Sequence, residues 1–194
     1  MKLNIPTVLT LGRILLIPLF VIAFYLPVAW AGLAAAGLFA LAAITDWLDG
    51  YLARRMGQIS RFGAFLDPVA DKLIVAVALV MLLQADPRVL LALPVAVIIG
   101  REITVSALRE WMAEIGSRAS VAVSIWGKIK TAVQMTAIVI MLLGPEPLGL
   151  PSALPVYGIG LAGLYFAAAL TLWSMCQYLV AAWPAMREDS RKDD

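Results

Sequence analysis

Six apolar stretches, each about the roughly 20 residues that a helix needs to cross a bilayer, govern what this chain can become. They run Thr7–Leu26, Trp30–Arg54, Phe62–Ala85, Val89–Trp111, Ala119–Leu143 and Pro155–Trp183. Pro27, Asp86-Pro87, Gly144-Pro145 and Pro184 punctuate them. With 62% hydrophobic and only 14% charged residues, a globule of 194 residues could not hide this much apolar surface from water. Disordered, fibrous and nucleic-acid-binding classes are excluded by the same composition. The pattern predicts an all-α, polytopic membrane protein with six transmembrane helices. Residues 1–186 form one membrane domain, and 187–194 form a charged tail expected to fray. Arg13 interrupts the apolar region that a cleaved leader requires, so the N-terminus is expected to be retained.

The sequence has no His, which removes the imidazole base and the imidazole metal ligand. The single Cys176 lies in an apolar run and reads as a packing residue. Any general base is then a carboxylate, Lys, Tyr or that thiol.

Charge placement gives sidedness. Lys2, Arg54, Arg55, Arg61, Arg118, Arg187, Arg191 and Lys192 fall on one side of the six spans, with Arg109 at its edge. Arg88 alone falls on the other. The positive-inside rule makes the rich side cytoplasmic and puts both termini there. The charges within the spans obey the same asymmetry. Arg13, Asp46, Asp49, Asp67, Asp71, Lys72, Arg101, Glu102, Lys128 and Lys130 all fall in the cytoplasmic half. Charges at that depth are expensive unless they face a cavity or one another, so a polar cavity opening to the cytoplasm is expected.

Four of these charges form a pattern. Asp46 and Asp49 are three apart, Asp67 and Asp71 four apart, so each pair shares a helix face. A turn near Met56-Gly57-Gln58 reverses the chain and brings the two faces together. Four carboxylates in low dielectric require cations. Oxygen donors select Mg²⁺ or Mn²⁺, and two such ions suit phosphoryl chemistry. Gly50, Ala53 and Gly63 leave room for a ligand, and Arg54 can pair with a phosphate. Pro68 either frees a carbonyl in the preceding turn or starts a helix capped by Asp67. A cation transporter would also use an acidic cluster, but it needs charges on both sides of the membrane, and the outer half lacks them.

The complete run, D-x-x-D-G-x-x-A-R, eight residues, then G-x-x-x-D-x-x-x-D, resembles the signature of the CDP-alcohol phosphatidyltransferases at every position. Asn4-Ile5-Pro6-Thr7 with Leu9-Thr10 and Arg13, Gly100-Arg101-Glu102-Ile103 with Ser106 to Trp111, and Gly127-Lys128-Ile129-Lys130-Thr131 resemble the branch of that family that uses glycerol phosphate. The last span carries no comparable motif. The resemblance implies a six-helix homodimer of the bacterial inner (cytoplasmic) membrane. It would transfer a phosphatidyl group from CDP-diacylglycerol to sn-glycerol 3-phosphate and release CMP. It implies Asp46, Asp49, Asp67 and Asp71 as ligands of two Mg²⁺ or Mn²⁺ ions, with Asp71 as general base. It implies Asp46, Asp49, Gly50, Ala53, Arg54 and Gly63 as CDP contacts, with Pro6 and Thr10 helping to close that pocket. Other members of the family, making cardiolipin, phosphatidylinositol phosphate or phosphatidylserine, stay open as alternatives.

The acceptor's phosphate requires cations. Arg101 and Lys128 lie about 13–15 Å along their helices from the cytoplasmic end, at the depth of Asp71. Arg118 lies at the connection between those helices. These three are expected to form the phosphate pocket. Lys128 and Lys130 are about 200° apart on a helix, so only one can face it. Lys128 is expected inward and Lys130 at the interface, snorkelling. Glu102 either orients Arg101 or takes no part.

Overall fold

A computed structural model describes residues 5–56, 61–114, 125–144 and 156–190. They form six helices: α1 (Ile5–Tyr25), α2 (Ala31–Met56), α3 (Arg61–Ala85), α4 (Val89–Glu114), α5 (Ile125–Leu143) and α6 (Val156–Ser190). Each coincides with one of the six apolar stretches. Among the described residues there is no strand. Among the described residues, three helices contain spans long and apolar enough to cross a membrane: Val8–Tyr25, Val89–Met112 and Val156–Val180. The apolar runs of α2 and α5 are shorter, Ala31–Asp46 and Ile129–Leu143, because charged residues interrupt them.

The bundle has two halves. α1 packs along α2 and against α3, while α6 packs along α5 and against α4. Contacts of α2 with α5 and of α3 with α4 join the halves. Phe20, Phe39, Leu79, Leu91, Ile98, Ile138 and Leu164 fill the centre and are almost fully buried. Small residues set how closely the helices approach. A Cβ on Gly32 would stand 2.8 Å from the Leu142 carbonyl oxygen, so α2 and α5 touch backbone to backbone there. A Cβ on Gly160 would meet the Met141 side chain at 2.5 Å and the Ala137 carbonyl oxygen at 3.1 Å, so α6 also lies close on α5. Leu15, Leu19, Ile22, Leu33, Ile44, Leu93 and Trp173 point outward and are exposed, an apolar girdle suited to lipid.

Prolines inside helices free carbonyls for other partners. Pro94 leaves the Leu90 carbonyl without an intrahelical donor, and the Tyr165 hydroxyl from α6 donates to it at 2.7 Å. Pro68 also lies inside its helix, so of its two readings the freed carbonyl holds, that of Ala64. Pro184 follows the last apolar span but does not end the helix: α6 continues to Ser190, so residues 187–190 of the tail expected to fray are helical. Pro184 removes one hydrogen bond, and the helix formers Ala185, Met186, Arg187 and Glu188 carry the helix on. At the α3–α4 turn, Arg88 grips Asp86 through bonds of 2.6 and 2.7 Å, and the Tyr157 hydroxyl donates to Asp86 at 2.5 Å. This ties the turn to the start of α6. Arg88 holds the Asp86 carboxyl well below the usual carboxylate range, with help from Tyr157.

Candidate active site

The polar residues gather toward the end of the bundle where α2 and α4 finish and α3 begins. Arg13 is their centre. It lies on α1 among apolar neighbours and is 1% exposed. Its Nη1 donates to Asp46 Oδ1 at 2.7 Å and also to Asp71 Oδ1. Carboxylates from α2 and α3 therefore converge on one nitrogen. A charge this deep needs such partners. One turn earlier on α1, the buried Thr10 donates its hydroxyl to Asp67 Oδ1. α1 thus positions three of the four signature carboxylates, and its Thr10 and Arg13 share a face by their spacing of three.

Asp46 and Asp71 remain reachable, with side chains 42% and 40% exposed. All the donors here are hard oxygens, which fit Mg²⁺ or Mn²⁺ and not a soft metal. Two of them already meet at one cationic centre. Among the described residues no three acidic side chains form a complete metal cage. The side chain of Asp49, the fourth ligand expected, lies outside those residues. Gly63 is buried near the start of α3. Gly50, Ala53 and Arg54 lie on the last turns of α2 and Pro6 on the first turn of α1, but their surroundings lie outside the described residues. Thr10 turns toward Asp67.

A second polar cluster lies between α4, α5 and α6. Glu102 Oε1 accepts from Arg101 Nη1 at 2.9 Å and from Lys130 Nζ at 3.2 Å. Arg101 Nη2 donates to Ser174 Oγ at 3.0 Å. The interfacial reading of Lys130 is corrected: it is 5% exposed and ion-paired to Glu102. The helical period showed that one lysine faces inward but not which. Glu102 supplies the partner that draws Lys130 in. Lys128 lies on the first turn of α5, with its side chain outside the described residues, and Arg118 lies outside them altogether. Glu102 does orient Arg101.

The two clusters are joined. Lys72, next to Asp71 on α3, donates to Ser106 Oγ on α4. Ser106 donates in turn to the Glu102 carbonyl at 2.5 Å, one helical turn back. Lys72, the neighbour of Asp71 in sequence, thus reaches α4 one helical turn beyond Glu102. Sequence reasoning had placed Lys72 only by depth and had no pairing for Arg13.

Carboxylates gathered on a buried cation, beside a set of buried cations within apolar helices, define a helical membrane protein built to handle charged groups at the lipid boundary. The chain belongs to the CDP-alcohol phosphatidyltransferase family, whose model matches residues 3–182. It is 59% identical over 182 residues to the CDP-diacylglycerol–glycerol-3-phosphate 3-phosphatidyltransferase of Sodalis glossinidius (strain morsitans), covering 94% of this chain and 96% of that one. It is 56% identical to the protein of the same description from Pseudomonas fluorescens, over 98% of this chain and 95% of that one. The Escherichia coli (strain K12) protein so described is 55% identical, over 94% and 96%.

Proposed function

We infer that this chain transfers the phosphatidyl group of CDP-diacylglycerol to sn-glycerol 3-phosphate, forming phosphatidylglycerophosphate and releasing CMP. The observation that carries this is the pairing of the two clusters. Arg13 gathers Asp46 and Asp71, Glu102 gathers Arg101 and Lys130, and Lys72 beside Asp71 reaches Ser106, one turn along α4 from Glu102. A nucleotide pyrophosphate bound through cations needs the first, and a phosphate-bearing alcohol needs the second. Relatives matching nearly the whole chain carry that reaction in their descriptions.

In this reading all six helices span the bacterial inner membrane. The polar end of the bundle faces the cytoplasm, because Lys and Arg gather on that side. Asp46, Asp49, Asp67 and Asp71 would hold two Mg²⁺ or Mn²⁺ ions, which when bound supply charge stabilisation at the phosphoryl oxygens. Gly50, Ala53 and Gly63 leave space for the cytidine side, and Arg54 pairs with its phosphate. Pro6 and Thr10 close that pocket, and Thr10 also steadies Asp67. Asp71 accepts the proton from the glycerol hydroxyl as that oxygen attacks the phosphatidyl phosphorus. The bond to the CMP oxygen breaks as the new one forms. Arg13 fixes Asp71 and Asp46 for that geometry. The lipid tails stay among the apolar faces while the nucleotide reaches water. The family resemblance adds a homodimer, which light scattering of the detergent-purified protein tests: a monomer mass rejects it.

Arg101, Arg118 and Lys128, together with the buried Lys130, would hold the acceptor's phosphate. Kinetics of Arg101→Ala and Lys128→Ala test this. Each variant is expected to raise the KM for glycerol 3-phosphate by about 10-fold or more, as loss of a charge-assisted hydrogen bond does, with CDP-diacylglycerol affinity largely kept. Collapse of donor affinity with an unchanged acceptor KM would move these residues to the donor site.

A further inference from the structure

Helix α6 carries no charged residue from Val156 to Trp183 and no motif that points to chemistry. Its lower half nevertheless holds both arginines of α4. Ser174 accepts from Arg101 at 3.0 Å, and the Tyr178 hydroxyl accepts from Arg109 Nη2 at 2.8 Å. The Tyr178 ring lies beneath both guanidiniums, with its centroid 5.8 Å from Arg101 Cζ and 5.1 Å from Arg109 Cζ. One aromatic ring thus serves two like charges about two helical turns apart in sequence. The negative face of a ring attracts each cation without neutralising it, as a carboxylate would.

The same region has unused hydrogen-bonding capacity. Arg101 Nε and Thr171 Oγ1 are buried without a partner, and so is Gln134 Oε1. Thr171 is 0% and Gln134 5% exposed. Buried polar atoms are normally satisfied, so unpaired ones lying beside buried cations point to a ligand. Arg101, Arg109 and Lys130 against Glu102 leave a net charge of +2, which suits a phosphate dianion.

We propose that Ser174 and Tyr178 are positioning residues, a guanidinium clamp on α6 that aims Arg101 and Arg109 at the phosphate of the acceptor and so selects a phosphate-bearing alcohol. This rests on the reading of Arg101 as a phosphate ligand. The clamp holds the cations in place without adding negative charge of its own, so Glu102 alone offsets the set and the net +2 is left for the substrate. A carboxylate at position 178 would quench them.

The test is steady-state kinetics of the detergent-purified enzyme with both substrates varied. Tyr178→Leu removes the ring and is expected to raise the glycerol 3-phosphate KM by about 10-fold, with the CDP-diacylglycerol KM within about twofold of wild type. Tyr178→Phe keeps the ring and is expected to stay within about threefold of wild type. An unchanged acceptor KM in Tyr178→Leu, or equal losses for both substrates, overturns the clamp. Should Tyr178→Leu not fold, Ser174→Ala decides: a rise of several-fold confined to the acceptor supports the clamp, and no rise rejects it. Arg101→Ala is run alongside. If it leaves the acceptor KM unchanged, the phosphate-pocket reading itself fails. If it raises that KM while the α6 variants do not, only the clamp fails.

Discussion

Asp71→Ala is expected to lower phosphatidyl transfer by at least about 10³-fold while the helices stay folded. Two losses coincide in this variant. The proposed base for the glycerol hydroxyl disappears, and so does one of the oxygens that would hold the ions. The fold survives because Arg13 keeps Asp46 as a partner at 2.7 Å, and removing one of several neighbouring carboxylates relieves repulsion. Asp46→Ala, Asp49→Ala and Asp67→Ala are expected to fall nearly as far. Losses from these residues should not add, because they act as one unit around the ions: a double variant should be scarcely worse than either single one. Turnover assays on purified variants, with circular dichroism to show that the helices persist, check this. Activity of Asp71→Ala or Asp67→Ala within about tenfold of wild type contradicts the metal-site reading. Activity that persists after chelation contradicts it independently.

Arg13→Met is expected to act in the opposite sense, on stability first. The methionine keeps most of the side-chain volume, so the loss reports charge and not a cavity. Asp46 and Asp71 then face each other with no cation between them. Removing one partner of a buried ion pair costs about 3–5 kcal/mol. The two carboxylates here are 42% and 40% exposed, which places the cost at the lower end. Thermal unfolding of the metal-free protein in detergent should fall by about 5–10 °C. Added Mg²⁺ or Mn²⁺ should recover more of that loss in Arg13→Met than it adds to wild type, because the ion supplies the missing positive charge. A melting temperature within about 1 °C of wild type would contradict the role given to Arg13. So would a variant that the ions leave unmoved.

These two predictions rest on residues that differ in how visible they were in the sequence. The aspartates were legible because their relation is local. Spacings of three and four on two helices joined by a short turn fix which carboxylates share a face. The six helices were legible for the same reason, since apolar length and Pro or Gly punctuation are written along the chain. Arg13 was visible as an anomaly, a charge in an apolar span, but its partners stand on α2 and α3, 33 and 58 residues away. Only the packing of α1 against both reveals the pairing. Lys130 shows the limit of periodicity, which said that a single lysine turns inward and left the choice to Glu102, a residue on another helix. Tyr178 gave no signal at all. An aromatic in an apolar helix reads as packing or as a lipid anchor, and its role depends on two arginines brought beside it by the parallel run of α4 and α6. The tail expected to fray is helical to Ser190, because a helix breaker such as Pro184 in an otherwise strong helical sequence costs one bond and does not end the helix.

The measurement that bears most directly on the central claim uses sealed membrane vesicles of defined orientation holding this protein and CDP-diacylglycerol. Labelled glycerol 3-phosphate, which does not cross the bilayer, is supplied from outside. Inside-out vesicles are predicted to form labelled phosphatidylglycerophosphate with one CMP released per lipid made, and right-side-out vesicles to form none. CMP release without labelled lipid, labelled lipid from right-side-out vesicles, or no reaction in either orientation would contradict the account.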